Sequence, residues 1–165
     1  MKKNITKLIV MTFAVLVVSC ASTPKYVYEE SAVTIHLKSG PDLNLYEDLA
    51  HTLLLCVYQL KDPNAFKQLT DESEGIPRLL GCTRFDPSVT GSKRIVMQPD
   101  EEITKILDRA EGTKYIGIVA GYYRAKKDSM VRLIEVPLSM LSKSPKKMKI
   151  NLYLGAQEIQ ELGGK

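Results

Sequence analysis

Catalysis and metal binding draw on side chains that this sequence has little of. There are two histidines and three cysteines in 165 residues. No Walker loop, GxSxG elbow, HExxH pair or CxxC pair occurs, which removes the recognisable phosphate, hydrolase, zinc and thioredoxin signatures. His36 and His51 have no clustered carboxylates beside them and read as surface or strand-edge residues, so no metal site is expected. Asp100, Glu101 and Glu102 are adjacent after Pro99. In an extended chain adjacency points side chains to different sides, which suits a solvated turn better than an acid/base pair. An enzyme would need a cluster such as Asp48, His51 and Cys56, and the apolar setting of Cys56 within Leu53–Val57 argues against it.

Long apolar runs are also scarce. The one that stands out is Leu8–Val18, preceded by Lys2, Lys3 and Lys7 without an acidic residue. This is a signal-peptide pattern, and the run is short of the roughly 18–20 residues that a lasting membrane span requires. Val17-Val18-Ser19-Cys20 then resembles a bacterial lipobox. That resemblance implies cleavage before Cys20, a diacylglycerol on its sulfur and acylation of the new amino end. Stable anchoring takes more than one acyl chain, a condition a triacylated cysteine meets. Ala21 follows, where inner-membrane lipoproteins often carry aspartate, so the resemblance favours the periplasmic face of the outer membrane.

Charge of either sign is nearly balanced once the leader is gone. Lys+Arg number 23, and losing three lysines with residues 1–19 leaves 20 against 19 Asp+Glu. Nothing in that balance points to nucleic acid, and the remaining chain is the size of one domain. Lys143, Lys146, Lys147 and Lys149 surround Ser144-Pro145. They read first as a solvated turn before a strand, with contact to an anionic lipid or polymer as the other use.

What the sequence does have is a series of short β-rich runs between turn signals. Ser22–Glu30 is polar, contains Pro24 and reads as a tether between lipid and domain. Ala32–Lys38 alternates apolar and polar residues as a half-buried strand does. Thr52–Leu60 is nearly continuous in apolar residues, which suits a strand buried on both faces. Lys93–Met97, Lys114–Arg124, Val131–Val136 and Met148–Leu154 complete the strands. Asn64–Thr70 and Ile76–Leu80 read as short helices covering one end of a sandwich. Glu101–Ala110 fits a helix or an outward-bending strand equally. The expected organisation is residues 1–19 as signal peptide, 20–30 as lipidated cysteine and tether, 31–155 as a mainly β sandwich domain, and 156–165 as a polar tail.

Two further features concern sites. Cys56 and Cys82 are an even pair in an oxidising compartment, which allows either a disulfide or two separate buried thiols. Ser39–Ala50 is long for a hairpin connection and carries Leu43, Leu45 and Tyr46 among Asp42, Asn44, Glu47 and Asp48. Those apolar side chains serve either a partner or closure of the sandwich end. Tyr46 is the best exposed anchor among them.

The order and spacing of several segments resemble the TssJ, or SciN-like, family of type VI secretion outer-membrane lipoproteins. They are the lipobox at Cys20, Asn44 in the first interstrand loop, Val57-Tyr58-Gln59-Leu60, Phe66, Leu79-Leu80-Gly81, Pro99, and Tyr115 through Tyr123. The resemblance implies a transthyretin-like antiparallel β-sandwich with added short helices, in which Glu101–Asp108 is a strand. It also implies no enzymatic activity, no cofactor beyond the covalent lipid on Cys20, and no small-molecule substrate. The implied role is to anchor a secretion membrane complex by binding the periplasmic part of TssM. The resemblance further implies that the loop Ser39–Ala50 docks this partner, with Asn44 at the family's loop asparagine, and Leu43, Leu45 and Tyr46 are the contact residues expected beside it. The rival reading is a periplasmic lipoprotein that holds a small ligand or envelope polymer.

Overall fold

A strand that is apolar at nearly every position must bury both faces, and β2 (Leu53–Leu60), whose one polar residue is Gln59, does so. Leu53, Leu55 and Val57 point into one core, while Cys56, Tyr58 and Leu60 point into a second on the opposite side. The computed structural model describes residues 24–163. The expected signal peptide and the expected lipidation site, Cys20, lie outside the described residues. Before β2 comes β1 (Glu29–Ser39). After it follow α1 (Asn64–Asp71), α2 (Gly75–Leu79), β3 (Val89–Met97), β4 (Glu102–Arg109), β5 (Tyr115–Ala120), α3 (Lys127–Met130), β6 (Val131–Glu135), β7 (Met148–Leu154) and β8 (Ile159–Glu161).

Two four-stranded sheets, ordered β4-β1-β7-β8 and β3-β2-β5-β6, face each other as a sandwich. Neighbouring strands are antiparallel except β1 and β7, which run parallel with Val33 opposite Met148 and Leu37 opposite Leu152. The main core lies between the sheets and is filled by residues such as Ile35, Leu37, Leu55, Ile118, Ile150 and Leu152.

The helices do not cover one end of the sandwich, as the sequence suggested. They lie on the outer face of β3-β2-β5-β6, where Phe66, Leu69 and Leu79 pack on Tyr58, Leu60 and Val119. The outward face of β2 is apolar and needs that cover. Gly117 makes the approach possible, since a Cβ there would sit 2.8 Å from the Phe66 ring.

Several boundaries also move. β1 begins at Glu29 rather than after the expected tether, and Tyr26 already accepts a hydrogen bond from the Gly112 N–H through its carbonyl. Glu101–Ala110 resolves as β4, as the family resemblance implied. Pairing with β1 sets Ile103 opposite Leu37 and Leu107 opposite Val33, which satisfies the backbone in a way a free helix there would not. The expected polar tail folds back as β8, because Ile159 is fully buried and pairs opposite Leu154. Strand β5 stops at Ala120, and Tyr122–Arg124 leaves the sheet.

Candidate functional site

The chain between β1 and β2 is pinned along its length. The Asn44 and Leu45 N–H groups donate to the carbonyls of Gly155 and Ala156, and His51 N–H donates to Leu43 O. Tyr46 and Leu49 exchange backbone hydrogen bonds at 2.9 and 3.0 Å. Asn44, Glu47 and Asp48 sit at positive φ, a conformation asparagine and aspartate tolerate better than most residues.

Of the four residues expected to meet a partner, two are turned inward. Leu43 is fully buried in the main core. Asn44 is buried, its Nδ2 donating to Thr52 O at 2.9 Å while its Oδ1 accepts from the Tyr123 N–H at 2.9 Å. Both side chains are therefore unavailable as contacts, because a buried amide with both ends satisfied has nothing left to offer. Leu45 and Tyr46 are half-buried and remain at the surface.

Asn44 instead joins the loop to the segment after β5, and this brings together residues the sequence reading missed. The Tyr46 ring lies 5.1 Å from that of Tyr123, and His51 meets Tyr123 edge-on at 5.2 Å. The Arg124 guanidinium sits 5.0 Å from the Tyr46 ring centre, a cation–π distance. Tyr123 is 62% exposed and neighbouring Leu49 64%. The result is an exposed aromatic and cationic patch at the end of the sandwich where β1 finishes. Alternation held the signal for it. Tyr122 turns inward and its hydroxyl, raised in pKa by burial, donates to Glu158 O at 2.7 Å, while Tyr123 beside it turns out to solvent.

The other candidates fall elsewhere. Cys56 is bonded to Cys82 with Cα atoms 5.2 Å apart, deep in the helix-covered core, so Asp48, His51 and Cys56 assemble no nucleophilic site. His36 lies on the outer face of its sheet, 3.2 Å from Glu102 Oε1 and 3.2 Å from Thr104 Oγ1. A groove of about 500 Å³ lies beside the patch, lined by Asp42, Lys126, Ser129, Gln157, Glu158 and Gln160 among others. Its walls, which also include Tyr153, Gly155 and Ala156, are about evenly polar and apolar, unlike the predominantly apolar pockets that hold most small ligands.

The architecture has counterparts among solved structures. The T6SS lipoprotein TssJ1 from Pseudomonas aeruginosa is 23% identical, with 84% of this chain and 97% of that one covered at a TM-score of 0.62. A chain of a structure described as the T6SS protein TssM C-terminal domain (869-1107) from EAEC matches at 10% identity, 80% and 98% coverage and a TM-score of 0.63. Serratia marcescens Lip, described as a membrane-bound component of the type VI secretion system, matches at 12% identity, 79% and 96% coverage and a TM-score of 0.57. At these identities the likeness is one of fold. Comparison with curated protein sequences finds no match. The family model "Type VI secretion lipoprotein, VasD, EvfM, TssJ, VC_A0113" matches residues 31–157, which is most of the chain. The chain belongs to the type VI secretion lipoprotein family.

Proposed function

We propose that the protein is anchored through lipid on Cys20 to the periplasmic face of the outer membrane. There it holds the membrane complex of a type VI secretion system by binding the periplasmic part of TssM. It acts as a structural anchor and carries out no catalysis. The observation that carries the binding reading is the patch of Tyr46, Leu49, His51, Tyr123 and Arg124, which gathers tyrosine, arginine and an exposed aliphatic at one end of a filled sandwich. Tyrosine and arginine are the residues that most often dominate interface energies. The patch is also pre-ordered by the backbone bonds of the loop, which lowers the entropy lost on binding. Membership of the type VI secretion lipoprotein family supports the choice of a partner from the secretion membrane complex.

The test compares three variants for binding to the TssM periplasmic domain and for thermal unfolding. Tyr46→Ala and Tyr123→Ala should each weaken binding by about tenfold or more, equivalent to roughly 1.4 kcal/mol, with unfolding unchanged. Asn44→Ala should instead lower stability by about 1–3 kcal/mol, since Thr52 O and the Tyr123 N–H lose their partner. Full binding by both tyrosine variants would remove the patch from the account.

A further inference from the structure

The connection from β6 to β7 forms an internally hydrogen-bonded protrusion closed by a Leu138–Pro145 bridge. Ser139 N–H donates to Ser144 O at 2.8 Å, Lys143 N–H to Ser139 O at 3.0 Å, and Lys146 N–H to Pro137 O at 2.8 Å. Ser142 and Ser144 hydroxyls meet at 2.6 Å, and Lys143 takes the positive φ that closes the turn. At the tip this hairpin holds Met140 and Leu141 out into solvent, 88% and 98% exposed. A single exposed apolar residue is ordinary, but two neighbours held out by an ordered hairpin are not explained by folding.

Cations flank the tip. From Val136 to Asn151 the chain carries Lys143, Lys146, Lys147 and Lys149 and no carboxylate. All four lysines are exposed, and the ion pairs among the described residues involve none of them. The position of the hairpin is fixed by the parallel β1/β7 pair, which starts both strands at the same end. Arg109 ties that end together, donating to Glu29 Oε2 at 2.6 Å and to Lys146 O at 3.1 Å. The protrusion therefore stands beside the point where the chain from Cys20 enters the domain, opposite the aromatic patch.

We infer that the Met140–Leu141 tip and its four lysines dock on a phospholipid surface bearing anionic headgroups. The apolar pair enters the boundary between headgroup and acyl chain, and the lysines stay in the headgroup layer, where their long stems reach outward. Attraction to anionic lipid acts within a Debye length of about 8 Å, so the lysines matter only where the tip touches the surface. A lipid anchor alone leaves the domain free to tumble at the membrane. The second contact holds it upright, with the aromatic patch facing away. The inference rests on the anchored reading for which membrane is met, and the experiment separates the two.

Because the sequence has no tryptophan, Leu141→Trp supplies the sole indole. The full acylated protein carrying it is reconstituted with vesicles of phosphatidylcholine, or of equimolar phosphatidylcholine and phosphatidylglycerol, each containing brominated acyl chains. Flotation reports anchoring, and indole emission reports the tip. The expected result is flotation with both vesicles, but a blue shift and quenching only with the anionic ones. The blue shift and the quenching should be lost, with flotation retained, when Lys143, Lys146, Lys147 and Lys149 are all replaced by Gln. Flotation without quenching overturns docking and leaves the anchor intact, and equal quenching in both vesicles overturns the role of the lysines. Quenching on anionic vesicles without flotation on neutral ones supports docking against the anchor. Absence of both signals overturns docking and anchor together.

Discussion

Asp108 shows how a single carboxylate sets the start of β1. It accepts the Ser31 N–H at 2.9 Å and the Tyr28 hydroxyl at 2.7 Å. Those hydrogen bonds, the backbone one foremost, hold its carboxyl below the ordinary value of 3.8, and the same contact raises the Tyr28 phenol. The folded carboxyl is the stronger acid, so its contribution to stability is fully present above the unfolded value. It is lost as pH falls through the lower folded value. Asp108→Asn should therefore be less stable than the wild type near neutral pH, and denaturant unfolding should show the gap closing between about pH 5 and about pH 2. A gap that stays constant across that range would mean the carboxylate charge is not what holds Ser31. Asn44 works by the same logic without a charge. Its Oδ1 accepts the Tyr123 N–H and so fixes where Tyr123 stands beside the loop.

At the scale of elements, the bond between Cys56 and Cys82 joins the central strand β2 to the chain that leaves α2, linking positions 26 apart in sequence with α1 and α2 between them. The helix layer covers Tyr58, whose hydroxyl donates to Leu79 O and whose pKa burial pushes up to about 12. By the chain-entropy estimate the link contributes about 3.5 kcal/mol. A Cys56→Ala, Cys82→Ala double variant should lose about 2–4 kcal/mol in denaturant unfolding, and reductant should then have no further effect. A double variant as stable as the wild type would contradict this.

The two-sided burial of β2 was legible because its apolar run is broken only by Gln59, and the strand character of β5 was equally plain. β4 was ambiguous because it is an edge strand. Lys105 and the exposed Ile106 break the alternation that a half-buried strand would show. β8 was hidden for a different reason. A three-residue strand with one buried side chain, Ile159, carries too little periodicity to stand out from a polar tail. The loop was readable as far as its length and its tyrosine. The union of Tyr46 with Tyr123 across 77 positions depends on the contact between two strand ends, which local pattern does not encode.

The whole molecule is organised by the direction of β1. The chain enters at Glu29, beside the hairpin of Met140 and Leu141, and leaves at Ser39, beside the patch of Tyr46 and Tyr123. A domain anchored at one end and recognised at the other can link a membrane to a partner that reaches toward it. The most direct test of this arrangement places a photoreactive phenylalanine analogue at position 123 or, separately, at position 140 of the full-length lipoprotein in cells that assemble the secretion system. Irradiation at position 123 is predicted to yield a covalent adduct with the periplasmic part of TssM, and irradiation at position 140 to yield none. An adduct at position 140 with none at position 123 would contradict the account.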